Sequence, residues 1–166
     1  MLLADVNSKV DEMMSTLMTS IGQEGAEQFL SDPSFIKKHL KIEDKDLEEL
    51  TRESGFYVEH GDLEHAAETL GWLMFFEPFF ANHYLRLGAI LLMLQQHENA
   101  FKILEVGFVL DPSNPEYALY LGNCLFALGQ KEPAKKAFSE CLELSKSSST
   151  YDHIALLARE AVHECD

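Results

Sequence analysis

The sequence has few cysteines, few basic residues and no long apolar run. Its 166 residues include 3 cysteines, and 13 lysines and arginines together stand against 28 aspartates and glutamates. Three widely spaced thiols, an odd number, argue against a disulfide or zinc framework and favour reduced cysteines in a cytosol. The longest apolar runs, Leu70–Phe76 and Leu87–Leu94, fall short of the ~20 residues that a membrane-spanning helix needs. No signal peptide is evident in residues 1–20, so we expect a cytoplasmic protein without stable membrane insertion.

The shortage of basic residues leaves a formal net charge of −15. A surface of this sign repels phosphate backbones and anionic lipids, which argues against a nucleic-acid or membrane-surface partner. A basic or apolar protein partner fits better, because acidic charge keeps a complex with an aggregation-prone protein in solution.

Sets of catalytic residues are also missing. The sequence contains no glycine-rich phosphate loop and no discernible pairing of a nucleophile with a base. His60 and His65 are separated by a Gly61-Asp62 turn and are better interpreted as solvated turn residues than as metal ligands. We therefore expect no enzymatic activity, no cofactor and no metal site, and a function that lies in the binding of protein or peptide.

What the sequence does contain is a repeat of 34 residues. This period, with small residues and proline at fixed places, is typical of tetratricopeptide repeats, each of which is a pair of helices. Alanine recurs at one position, leucine or phenylalanine at a second, proline at a third and glycine at a fourth. The recurring residues are Ala66, Ala100 and Ala134; Leu70, Leu104 and Phe138; Pro78 and Pro112; and Gly88 and Gly122.

The repeat predicts an all-α fold: a tetratricopeptide-repeat solenoid of three helix pairs, with N-terminal helices and a C-terminal capping helix. The expected helices span residues 44–60, 62–76, 81–94, 97–110, 115–128 and 131–145. Residues 1–43 are predicted to form an N-terminal helical region for docking or dimerisation. Residues 44–166 are predicted to form the repeat domain, closed by a capping helix over residues 150–165.

The first helix of each repeat lines the concave face in this architecture, which predicts a groove for an extended peptide. Leu85 and Leu119 also fit a second interpretation, in which they only pack between neighbouring helices. The predicted peptide-binding residues are Thr51, Val58, Asn82, Leu85, Ala89, Leu92, Leu119, Asn123, Phe126, His153 and Leu157.

The segment "MFFEPFF", residues 74–80, is unusually aromatic. By alignment with the other repeats, Phe76 is predicted to be a core residue, and Pro78 to end the helix. Trp72, Phe75, Phe79 and Phe80 exceed what the repeat requires. We expect the N-terminal helices, or those of a dimer partner, to cover these four side chains.

The chain resembles the class II chaperones of bacterial type III secretion, the SycD/LcrH/IpgC-like family. The similarity runs from about Met14 to Val162 and is carried by the layout and by three segments. These are "LEELTRESGFYVEHGDLEHA", "FANHYLRLGAILLMLQQHENA" and "LGNCLFALGQKEPAKKAFSECLELS". The chain departs from the family at Thr51, Gly55 and Val58, where members often carry aromatic residues.

The resemblance implies a non-enzymatic cytosolic chaperone that holds a hydrophobic translocator protein in its groove and keeps it soluble before export. It also implies a possible homodimer through the N-terminal helix, where Val10, Met13, Met14, Leu17 and Ile21 are the candidate contacts. Docking of that helix onto its own first repeat is the alternative. Other functions remain open: a scaffold or adaptor within a secretion assembly, or a co-chaperone of a needle subunit.

Overall fold

The computed structural model describes Thr19, Asp32 and residues 34–165. Residues 34–165 contain eight α-helices and one short 3-10 helix, Ser149–Tyr151, which confirms the predicted all-α repeat fold. The α-helices are α1 Phe35–His39, α2 Asp44–Glu59, α3 Leu63–Phe76, α4 Ala81–Met93, α5 His97–Leu110, α6 Pro115–Ala127, α7 Lys131–Ser145 and α8 Asp152–Cys165. The described residues fall into two compact units, one ending at Phe80 and one beginning at Ala81.

In the first unit, α2 and α3 pack together as a helix pair. Helix α2 begins with a capping box, in which the backbone N–H of Glu43 donates to Asp46 Oδ2 at 2.8 Å. Helix α3 begins at Asp62, whose carboxylate accepts from the backbone N–H of His65 at 3.3 Å. These caps satisfy backbone donors that the first turn of a helix leaves unpaired, and so they set where each helix starts.

In the second unit, α4 pairs with α5, α6 pairs with α7, and α8 packs against α7 and α6. Helix α6 starts where the sequence reads Asn114-Pro115, because the Asn114 side chain accepts from the backbone N–H of Glu116 at 3.0 Å and proline is tolerated in the first turn. Helices α6, α7 and α8 share one buried cluster. Its members are Ala118, Leu119, Ala134, Phe138, Cys141, Ile154, Ala158 and Cys165.

The repeating glycines are positions of close helix packing. A Cβ atom placed on Gly88 would overlap the side chain of Leu104, and one placed on Gly122 would overlap the ring of Phe138. Both pairs join the first and second helix of one repeat at equivalent places. The small residues at these positions therefore let the paired helices approach closely.

The turns within the helix pairs repeat as well. Gly61 and Gly129 have φ angles of 75°, and Gln95, which lies between them in the 34-residue period, has a φ of 58°. A positive φ is accessible to glycine without steric cost and is uncommon for other residues. The sequence period is therefore visible in the backbone even where glutamine replaces glycine.

The three cysteines are buried and unpaired by disulfides. Burial raises the pKa of the Cys124 thiol to about 12, and it also raises the pKa of the Cys141 thiol. Because the thiolate is the reactive form, these two cysteines act as small core residues.

Within the aromatic segment, Phe76 and Pro78 have the roles that alignment with the other repeats predicts. Phe76 is buried and ends α3 two residues before Pro78. Trp72 and Phe75 are half-buried, whereas Phe79 and Phe80 are 66% and 51% exposed. The N-terminal segment expected to cover these aromatic residues lies outside the described residues, so the covering stays a prediction.

The division of the chain into an N-terminal helical region, residues 1–43, and a repeat domain, residues 44–166, also stays a prediction. Among the described residues, no helix is long and apolar enough to cross a membrane.

Candidate peptide-binding site

An open cleft of about 460 Å³ lies between α6 and α8 in the second unit. Four of the predicted peptide-binding residues line it: Leu119 and Asn123 from α6, and His153 and Leu157 from α8. The remaining lining residues are Glu116, Tyr120, Ile154, Glu160, Ala161 and Glu164.

The cleft follows from helical periodicity. On each of the two helices the lining residues recur every three or four positions, so each helix presents one continuous stripe. Leu119 and Ile154 are each 5% exposed and belong to the buried cluster, so they form a firm apolar floor. Leu157 is 49% exposed and offers apolar surface that a bound side chain can cover.

Polar groups surround this floor. Burial, followed by the negative charge of Glu116, raises the pKa of Tyr120. Its hydroxyl therefore stays protonated at neutral pH and can both donate and accept a hydrogen bond. The Asn123 amide offers a second donor and acceptor. An apolar floor with a few placed hydrogen-bonding groups is the usual composition of a peptide-binding pocket.

The repeat positions alone did not identify Tyr120, Ile154, Glu160, Ala161 and Glu164 as lining residues. The signal that finds most of them is the spacing within α8. Counting on from His153 and Leu157 by helical steps reaches Glu160, Ala161 and Glu164 on the same face.

The other predicted residues of the second unit do not line this cleft. Asn82 is exposed, Ala89, Leu92 and Phe126 are half-buried, and Leu85 is only 7% exposed. Leu85 and Leu119 are thus mostly buried, as expected if their side chains pack between neighbouring helices. Their part in binding a peptide stays a prediction.

The first unit has a cleft of its own, about 670 Å³ in volume. Neither Thr51 nor Val58 lines it, and both are half-buried, with the Thr51 hydroxyl donating to the carbonyl of Leu47 at 2.8 Å. The residues that line this cleft are Ile42, Asp46, Glu49, Leu50, Arg52, Glu53, Phe56 and Phe76. Phe56, which is 55% exposed, is the large aromatic residue that α2 offers here.

The candidate dimer contacts Val10, Met13, Met14, Leu17 and Ile21 lie outside the described residues, so their role also stays a prediction.

The two histidines considered as metal ligands lie on the surface with local partners. His60 Nδ1 is 2.8 Å from the carbonyl oxygen of Phe56, and His65 Nδ1 is 2.7 Å from Asp62 Oδ2. The hydrogen bond with His65 lowers the pKa of Asp62. Across the described part of the chain, no group of three histidine, cysteine or carboxylate side chains is placed to hold a metal ion.

Comparison with known proteins agrees with the helix-pair architecture. A family model described as Tetratricopeptide repeat matches residues 116–148. No curated protein matches the sequence at a significant level.

Solved structures match far more of the chain. A type III secretion system (T3SS) complex from Aeromonas hydrophila is 22% identical, with a TM-score of 0.80, over 86% of this chain and 95% of the other. PcrH of Pseudomonas aeruginosa, in complex with the chaperone binding region of PopD, is 20% identical with a TM-score of 0.72. That match covers 75% of this chain and 93% of PcrH.

A third match is SycD of Yersinia enterocolitica, a type III secretion chaperone solved with a peptide of the translocator YopD. It is 19% identical, with a TM-score of 0.71, over 75% of this chain and 95% of SycD. The chain has the fold of the type III secretion translocator chaperones. The predicted resemblance is thus confirmed at the level of the fold.

Proposed function

We propose that the chain is a cytosolic, non-enzymatic chaperone of type III secretion that binds an extended apolar segment of a translocator-like client. The observation that carries the proposal is the extent of the structural likeness. It covers 75% of this chain both in PcrH, solved with the chaperone binding region of PopD, and in SycD, solved with a peptide of the translocator YopD.

The cleft between α6 and α8 supports the proposal. Its apolar floor, its exposed Leu157 and its few hydrogen-bonding groups suit a peptide that inserts an apolar side chain. The net charge of −15 is suited to keeping a complex with a hydrophobic client in solution. Asn82, Leu85, Ala89, Leu92 and Phe126 of the second unit are proposed to extend this binding surface. Thr51 and Val58 are proposed as client contacts of the first unit.

A homodimer is the proposed assembly of the client-free protein. SycD has been solved as an alternative dimer, and this supports the proposal. The contacts proposed for it are those of the amphipathic segment between Val10 and Ile21.

Co-expression tests the chaperone function. The chain is co-expressed with each hydrophobic secreted protein encoded near its gene, and client in the soluble fraction is quantified with and without it. We expect one such protein, insoluble alone, to appear in the soluble fraction and to co-purify with the chain. An unrelated acidic tetratricopeptide-repeat protein, expressed to the same level, is the control and should leave the client insoluble.

Two results would count against this function. If every candidate client stays insoluble while the chain itself is folded, as judged by its helical circular dichroism, the chaperone proposal is wrong. If the chain instead co-purifies with an already folded partner whose solubility does not change, the scaffold or adaptor alternative is favoured.

A further inference from the structure

Three carboxylates surround the cleft between α6 and α8: Glu116, Glu160 and Glu164. No lysine, arginine or histidine within the described ranges forms an ion pair with any of them. The cleft therefore combines an apolar floor of Leu119 and Ile154, and the exposed Leu157, with a rim of negative charge that the described residues leave uncompensated.

The two carboxylates of α8 do not help that helix to form. Glu160 and Glu164 are four residues apart, so their like charges face each other on one side of the helix. Glu164 also lies in the last turn of α8, where the helix dipole favours positive charge. Both placements oppose helix stability, and a cation bound beside the two side chains would relieve both.

We propose that this cleft recognises a client segment in which an apolar side chain lies next to a lysine or arginine. The inference rests on the proposed function, which it deepens by specifying the class of client sequence. The apolar side chain covers Leu157 above the floor of Leu119 and Ile154. The long side chain of the neighbouring lysine or arginine then reaches the rim carboxylates, because its aliphatic part can lie along apolar surface while its charge remains at the edge.

Charge complementarity also gives this arrangement selectivity. A segment with aspartate or glutamate beside the apolar residue would bring like charges to the rim, which is costly at a binding surface. The rim therefore selects among apolar segments, which the floor alone cannot do.

A random-peptide display library, selected against the immobilised full-length chain, provides the test. We expect the selected peptides to be enriched in lysine or arginine within two residues of leucine, isoleucine, methionine or phenylalanine. The double variant E160K/E164K should lose this basic enrichment and select acidic residues at those places instead. A peptide chosen by the original chain should bind the double variant roughly tenfold more weakly, with the difference shrinking as salt is added.

The matched control is E132K/E140K, which makes the same change of net charge on the exposed surface of α7. It should select the same peptides as the original chain. The inference is overturned if the selected peptides are apolar without basic neighbours, or if E160K/E164K leaves the enrichment unchanged. Neither result contradicts the chaperone function if a client still co-purifies with the chain. The experiment therefore distinguishes failure of this inference from failure of the proposed function.

Discussion

Replacing Leu157 by aspartate is expected to weaken binding of the client segment by roughly tenfold, because covering the exposed half of a leucine contributes about 0.7–1.5 kcal/mol and an unpaired carboxylate in its place adds to the loss. The side chain is 49% exposed and lines the cleft between α6 and α8. Its loss removes apolar contact area, and the aspartate places a charge where an apolar side chain would be buried. Titration calorimetry with the client identified by co-expression measures the affinity.

Leu156 supplies a matched control for this substitution. It is the preceding residue of α8 and is 54% exposed, but it does not line the cleft. Leu156→Asp makes the same chemical change on the same helix and should leave the affinity within about twofold. Equal losses for the two variants would show that the client does not bind in this cleft.

Leu85 and Leu119 are poor positions for such a test. They are 7% and 5% exposed, so an aspartate at either position would bury a charge and destabilise the fold itself. Reduced binding by those variants would report folding as much as recognition.

The second large effect concerns stability: Gly122→Ala is expected to lower the free energy of unfolding by about 1–3 kcal/mol through overpacking. The added methyl group would overlap the Phe138 ring, which is 1% exposed and would have to shift within the buried cluster. Urea unfolding followed by far-ultraviolet circular dichroism measures the change.

Gly55→Ala is the control, since a Cβ atom on Gly55 meets no atom within 4 Å. This variant should be more stable than the original chain by about 0.5–1 kcal/mol, because alanine is the better helix former. If Gly122→Ala does not fold, Phe138→Leu in the same chain should restore folding in part by shrinking the side chain. A stabilising effect of Gly122→Ala alone would contradict the close packing of α6 and α7.

The helices themselves were predictable from the sequence, because a 34-residue period constrains each helix pair in the same way. Helices α5 and α7 span the residues predicted for them, and α2, α3, α4 and α6 each differ from prediction by a single residue at one end. The positive φ of Gln95 was harder to predict from the sequence, because only its place between Gly61 and Gly129 in the period indicates such a backbone conformation.

The accessibility of individual side chains was harder to predict. Leu119 and Leu157 were both predicted to face the groove, but one is buried and the other half exposed. The difference arises from their neighbours: Leu119 packs into the cluster shared by α6, α7 and α8, whereas Leu157 lies outside that cluster. Repeat positions specify which way a side chain faces, and the number of packed neighbours decides how much of it remains exposed.

The negatively charged rim was the least predictable feature. Glu160 and Glu164 belong to the capping helix α8, which lies outside the three helix pairs whose aligned positions were used for the prediction. In the first unit, the residues that line the cleft lie on a face of α2 other than that of Thr51 and Val58. Pairwise packing of helices, rather than the repeat period, determines where such clefts open.

Site-specific photocrosslinking shows whether the client binds in the cleft between α6 and α8, because it reports which residues touch a bound client. Asn123, which lines the cleft, is replaced by the photoreactive p-benzoylphenylalanine, and Lys136, exposed on α7, is replaced in a parallel control. After co-expression with the client and illumination, we expect a covalent adduct from position 123 to an apolar client segment, and none from position 136. An adduct from position 136 alone, or equal adducts from both positions, would contradict the account.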